Sequence, residues 1–164
     1  MHYVIIVLTS HNYKGLETLG EIKKKLVDYE VCIIGKDHKV LSSLDSGKEY
    51  FKKLKLNLSK AGVKLMGYKT EANIKKLVRS YNCVGILPYK YTSGSSFSAV
   101  FMMNLGLPIV TSYLDEFLIW KERGAGIICT ADSSTNYAEI INFHLDYELS
   151  QLYFWANNRR NQRF

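Results

Sequence analysis

Short apolar runs separated by longer segments of helical period constrain this chain more than any other feature. The runs are HYVIIVL (2–8), EVCIIG (30–35), VKLMG (63–67), CVGILP (83–88), PIVTS (108–112) and GIICT (126–130). Each is short, most are rich in β-branched residues, and each reads as a strand. Between them, Leu16, Leu19, Ile22 and Leu26 form one helical stripe and Phe51, Leu54 and Leu58 another. Ile74, Leu77, Val78 and Tyr81 make a third, opened by Thr70 as its N-cap. After Cys129, a helix through Tyr137, Ile140, Ile141 and Leu145 precedes a last one through Leu149, Leu152 and Tyr153. Strand and helix periods in alternation are the signature of βαβ units and a parallel sheet.

The expected fold class is therefore α/β: a single Rossmann-like three-layer domain over residues 1–164, with a mostly parallel sheet of about six strands. A chain of 164 residues buries about two thirds of its unfolded surface and needs no staple. The apolar run at 4–8 lacks a preceding basic segment, and no run approaches the roughly 18 apolar residues of a membrane span. A cytoplasmic protein, or one peripheral at a membrane, is expected. Cys32, Cys83 and Cys129 sit in or beside apolar runs without CxxC spacing, which predicts buried free thiols. The net charge of +7 comes largely from lysine-rich helix faces at 23–25 and 52–60 and from Arg159, Arg160 and Arg163. Solvated faces account for it, and no nucleic-acid-binding motif accompanies the charge. His2, His11, His38 and His144 lack ligand spacing, so no metal is expected.

In such sheets ligands bind beyond the carboxyl ends of the strands, where the strand order reverses. That rim receives TSHNYKG (9–15), GKDH (35–38), GYKT (67–70) and the loop opening YTSGSSFSAVFMMNLGLPIVTS (91–112). The last stretch sets a hydroxyl-rich glycine loop before an apolar helix. Helix starts expose unpaired N–H groups and a partial positive charge, so a phosphate is a natural guest. A plainer role for Thr92, Ser93, Ser95 and Ser96 is to cap that helix. Lys14 and Gly15 form a second loop-to-helix entry that adds a cation, and Thr9 and Ser10 share its loop. GxGxxG, GxxxxGK[ST] and GxSxG are all absent, which argues against nicotinamide-dinucleotide, P-loop and serine-hydrolase sites.

The succession KGLETL, VCIIGK, VKLMGYKTEANIKKLVRSYNCVGILPY, the glycine-serine loop, GLPIVTS and LDEFLIWKERGAGIICT resembles the C-terminal, donor-binding domain of GT-B glycosyltransferases of the group 1 (family-four, retaining) type. The resemblance covers residues 1 to about 145. It implies a nucleotide-diphosphate sugar as donor substrate, with neither cofactor nor metal. It also implies that Lys14 and Gly15, with Ser93, Gly94, Ser95 and Ser96, hold the diphosphate, and that Gly67 and Tyr68 lie near the nucleoside. The family's arginine five residues before the lysine falls on Thr9, and its two glutamates fall on Ser93 and Phe101. No catalytic residue is assigned on this basis. Such enzymes set two Rossmann domains face to face, so the chain is expected to supply the donor half and to need an acceptor-binding domain or partner chain. The alternative is a non-catalytic Rossmann module that binds a nucleotide or a protein. Phe97 and Phe101 are expected in the helix core, and Trp120, Phe154 and Trp155 in ordinary packing.

Overall fold

A strand covered on both faces needs apolar side chains at successive positions, and the runs of this chain supply them. A computed structural model of the protein describes residues 3–8, 15–26, 28–35, 45–91, 96–123, 127–130 and 134–144. The strands are β1 (Tyr3–Leu8), β2 (Tyr29–Ile34), β3 (Lys64–Gly67), β4 (Asn82–Leu87), β5 (Ile109–Ser112) and β6 (Ile127–Thr130). The helices are α1 (Leu19–Lys25), entered through a 3-10 turn at Leu16–Thr18, α2 (Asp45–Lys60), α3 (Glu71–Ser80), α4 (Phe97–Asn104), α5 (Asp115–Glu122) and α6 (Ser134–His144). The sheet order is β3-β2-β1-β4-β5-β6, and every pairing is parallel.

Alternation along the strands divides the core into two layers. Val31, Ile33, Val84, Ile86 and Val110 meet Leu19, Ile22, Phe51, Leu54, Leu58, Tyr137 and Ile141, which places α1, α2 and α6 on one face. Cys32, Ile34, Cys83, Leu87 and Ile109 meet Ile74, Ala99, Met102 and Phe117, which places α3, α4 and α5 on the other. Burying a side chain such as Leu19 or Ile22 stabilises by about 1.5–3 kcal/mol. Lys24, Lys25, Lys52, Lys53, Lys55 and Lys60 point into solvent, so the basic runs are solvated faces. Thr70 caps α3 by accepting from the Asn73 N–H at 3.3 Å.

Several side chains depart from the sequence expectation. Phe97 is 80% exposed and Phe101 only half-buried, although both were expected in the core. The reason is that α4 is apolar around most of its circumference, so no stripe marks its inner face. Ser98, Ala99, Met102 and Leu105 turn inward, Phe101 packs against the edge of the core, and Phe97 and Val100 turn out. Tyr81 is exposed, because its extended backbone ends α3 at Ser80. Cys32 and Cys83 are buried free thiols, whereas Cys129 is half-buried. Burial pushes the Cys32 and Cys83 thiols up to about 12. Trp120 is half-buried with its ring edge-on to Phe117, centroids 5.9 Å apart. Leu145, Leu149, Leu152, Tyr153, Phe154 and Trp155 lie outside the described residues. No described helix is long and apolar enough to cross a membrane.

Gly85 lets α4 approach β4, since a Cβ built there would lie 2.5 Å from Met102 Sδ. Gly85→Val is expected to destabilise the domain by about 1–3 kcal/mol through overpacking. Urea unfolding checks it, and wild-type stability would show that Met102 simply moves aside.

Candidate functional site

β1 leads through α1 to β2 on one side, whereas β4 leads through α4 to β5 on the other. The strand order therefore reverses between β1 and β4, and the crevice outside their carboxyl ends is where this architecture binds ligands. Gly15, at the end of the β1 loop, has φ +63°. A Cβ there would stand 1.7 Å from the Pro88 carbonyl oxygen, so only glycine lets the loops after β1 and β4 press together. Thr9, Ser10, Lys14, Ser93, Gly94 and Ser95 lie outside the described residues.

Ser96 is the N-cap of α4, and its hydroxyl accepts from the Ala99 N–H at 3.3 Å. The same hydroxyl shares a 2.9 Å hydrogen bond with the buried Tyr89 phenol, whose ring packs against Phe117 with centroids 5.7 Å apart. The Ser96 backbone N–H donates to Glu116 Oε1 at 2.9 Å. Glu116 comes from the first turn of α5, and its other oxygen, Oε2, is buried with no hydrogen-bond partner among the described residues. Ser96 is thus tied inward through both its hydroxyl and its N–H. It sets the geometry of the α4 entrance, beside a protein carboxylate.

On the far side of the crevice, Lys90 Nζ reaches Glu17 Oε1 at 3.2 Å, and the Tyr50 hydroxyl donates to the same oxygen at 2.9 Å. This joins the segment after β4 to the start of α1 and to α2. Partial burial pulls the Glu17 carboxyl upward. Hydrogen bonds from its own backbone N–H, Tyr50 and Lys90, with the charge of Lys90, outweigh that and hold it below its ordinary value of 4.5. Burial, followed by the hydrogen bond and charge of Glu17, pushes the Tyr50 phenol up.

Gly67 and Tyr68 close β3 at the same rim, but β3 stands three strands from β4 in the sheet order. At about 4.8 Å per strand they are roughly 14 Å from the α4 side of the crevice. Gly67 has φ +62° and accepts from the Gly35 N–H at 3.0 Å, and Tyr68 is 62% exposed. Sequence reasoning assigned nothing to Tyr89, Lys90, Glu17 or Glu116. The first two stand in the rim loop, which was the one available signal, whereas the two glutamates reach it only through tertiary contacts. A groove of about 580 Å³ runs between α1 and α2, lined by Gly20, Leu54, Leu58 and Ala61 with Lys24 and Lys53. Glu17 and Tyr50 line it as well, so the groove adjoins the wall where Lys90 meets Glu17. Among the described residues, no group of three or more His, Cys, Asp or Glu could hold a metal ion.

These features define an open, parallel α/β domain of the type that binds its ligand at a strand-order reversal. The fold is that of HepE from Anabaena in complex with UDP and glucose, with TM-score 0.76, 17% identity, and 98% of this chain and 44% of that one covered. Sucrose-phosphate synthase from Thermosynechococcus elongatus matches with TM-score 0.70 at 16% identity, covering 94% of this chain and 40% of that one. The C-terminal domain of a glycosyl transferase group 1 family protein, LpcC from Francisella tularensis, matches with TM-score 0.59 at 14% identity, covering 99% and 87%. At these identities the likeness is one of fold, and the fold implied by the sequence resemblance is the one found. The chain spans less than half the length of HepE and of the synthase. No protein-family model and no curated protein matches the sequence.

Two outcomes are expected from this geometry. Ser96→Ala removes a helix cap and a hydrogen bond to the Tyr89 phenol together, and should cost about 1–3 kcal/mol in chemical denaturation. A loss of a few tenths would mean that water replaces both contacts. Because folding lowers the Glu17 pKa, the stabilisation it gives is present above the unfolded-state value. That stabilisation fades as the pH falls below about 4.5. Glu17→Gln should therefore flatten the acid limb of the stability profile, by a small amount because the side chain is partly exposed. Parallel profiles for variant and wild type would contradict this.

Proposed function

We propose that this chain binds a nucleotide-diphosphate sugar and serves as the donor half of a glycosyltransferase. The observation that carries the reading is the contact of Gly15 with Pro88 at the strand-order reversal, in a fold that HepE shares in a complex with UDP and glucose. Lys14 and the Ser93–Ser95 segment belong to the loops on either side of that contact. Preorganised N–H and hydroxyl donors with a lysine would stabilise the charge that grows on the departing nucleotide diphosphate, with no metal required. Ser96 is assigned a positioning role, because its hydroxyl and N–H are engaged by Tyr89, Ala99 and Glu116. Lys90, drawn to the same edge by Glu17, adds a second cation to the crevice. The acceptor would be presented by another domain or chain facing this edge.

The test is thermal unfolding of the chain with UDP, GDP, ADP, their sugar conjugates and the free nucleosides. A diphosphate present at about 100 times its Kd should stabilise by about 2.7 kcal/mol, and the matching nucleoside by much less. Gly94→Val should abolish the shift without lowering the melting temperature of the free protein. If no diphosphate shifts the transition, the donor reading is wrong for this chain.

A further inference from the structure

Charge is distributed unevenly over the two helical layers. α1 and α2, packed on one face of the sheet, carry eight lysines against Glu21, Asp45 and Glu49, and α6 in the same layer adds Glu139. On the opposite face, α3, α4 and α5 together carry four basic and four acidic residues. Solvation of lysines does not require them to gather on one side. Lys24 and Lys48 are paired within their own helices, to Glu21 and Asp45. Lys52, Lys53 and Lys60 have no acidic partner among the described residues. These three stand four before, three before and four after Leu56, the spacings that make neighbours on a helix surface. Leu56 itself is 53% exposed, so an apolar side chain sits in a frame of uncompensated cations. Against an acidic bilayer that pattern places ammonium groups at the headgroups and the leucine at the acyl boundary. A nucleic acid is a poorer match. α1 and α2 contain no arginine and expose no aromatic ring, the groups that grip phosphates in a fork or stack on bases.

We propose that the outer face of α1 and α2 docks this protein on an anionic lipid bilayer, with Lys52, Lys53 and Lys60 against the headgroups and Leu56 inserted between them. The proposal is independent of the nucleotide-sugar reading. This face runs along the sheet rather than across the strand ends, so a protein lying on it keeps the rim at β1 and β4 clear. Lys24, Lys53 and Lys60 also border the groove between α1 and α2, which gives the face a recess for a headgroup. The lysine attraction acts only within a Debye length and is weakened by salt.

Flotation of the chain with phosphatidylcholine vesicles, with or without about 30% phosphatidylglycerol, tests this at about 0.1 M and about 1 M salt. Wild type is compared with Lys52→Gln/Lys53→Gln/Lys60→Gln on α2, with Lys75→Gln/Lys76→Gln/Arg79→Gln on α3, and with Leu56→Gln. Every substituted position is exposed, and glutamine is close to lysine, arginine and leucine in helix propensity, so melting temperatures should stay near wild type. Wild type should float with the anionic vesicles at low salt and be released at high salt. The α2 triple variant should partition about a hundred-fold more weakly. Leu56→Gln should cost about ten-fold. The α3 variant removes the same charge from the other layer and should cost less than about three-fold. Equal losses in the two triple variants would mean that net charge alone is read, which overturns the docking face. So would unchanged partitioning of Leu56→Gln, equal binding to neutral vesicles, or no binding of wild type to anionic ones. Capture of wild type by single-stranded RNA in preference to the vesicles, lost in the α2 variant, would assign the face to nucleic acid instead.

Discussion

A parallel sheet must be covered on both faces, and that requirement organises this molecule. Parallel neighbours cannot be joined by tight hairpins, so each crossover carries the chain over one face. The crossovers after β1 and β2 run through α1 and α2, and α6 completes their layer; those after β3, β4 and β5 run through α3, α4 and α5 on the opposite face. One result is geometric: the carboxyl ends of all the strands lie at a single edge. The other concerns the reversal of strand order between β1 and β4, which leaves a crevice that no crossover closes.

The crevice is shaped by backbone contact as much as by side chains. At Gly15 the absence of a Cβ lets one loop meet the Pro88 carbonyl. At Ser96 a cap, a phenol and a carboxylate fix the start of α4 from three directions. Glu116 gives this entrance a particular electrostatic character, because it places a carboxylate on the Ser96 N–H at a helix start whose dipole favours anions. Lys90 and Glu17 bridge the other wall, so the site carries charge of both signs before any ligand arrives.

Much of this was legible in the sequence. The strand runs and the Leu16–Leu26 and Phe51–Leu58 stripes appear where expected, because burial on one or two faces leaves a periodic trace. Thr70 was readable as a cap because capping is a local interaction. α4 could be placed but not oriented: FSAVFMMN is apolar on most sides, and the exposure of Phe97 follows from which of its faces meets β4 and β5. No helix was read between β5 and β6, since DEFLIWKE has only a weak apolar stripe, and α5 is held chiefly by Phe117 in the core.

The sequence by itself determined the α/β class, the order of the strands, the rim beyond their carboxyl ends and the placement of Gly15 and Ser96 on it. These depend on interactions between residues close in the chain or on a repeating pattern. Only the tertiary structure decided that Ser96 is tied to Glu116, twenty residues away, and that Glu17 meets Lys90 across 73 residues. Only it put the Phe97 ring in solvent. Such contacts arise from how helices settle on a twisted sheet, and no local periodicity encodes which charged or aromatic side chains will then face each other.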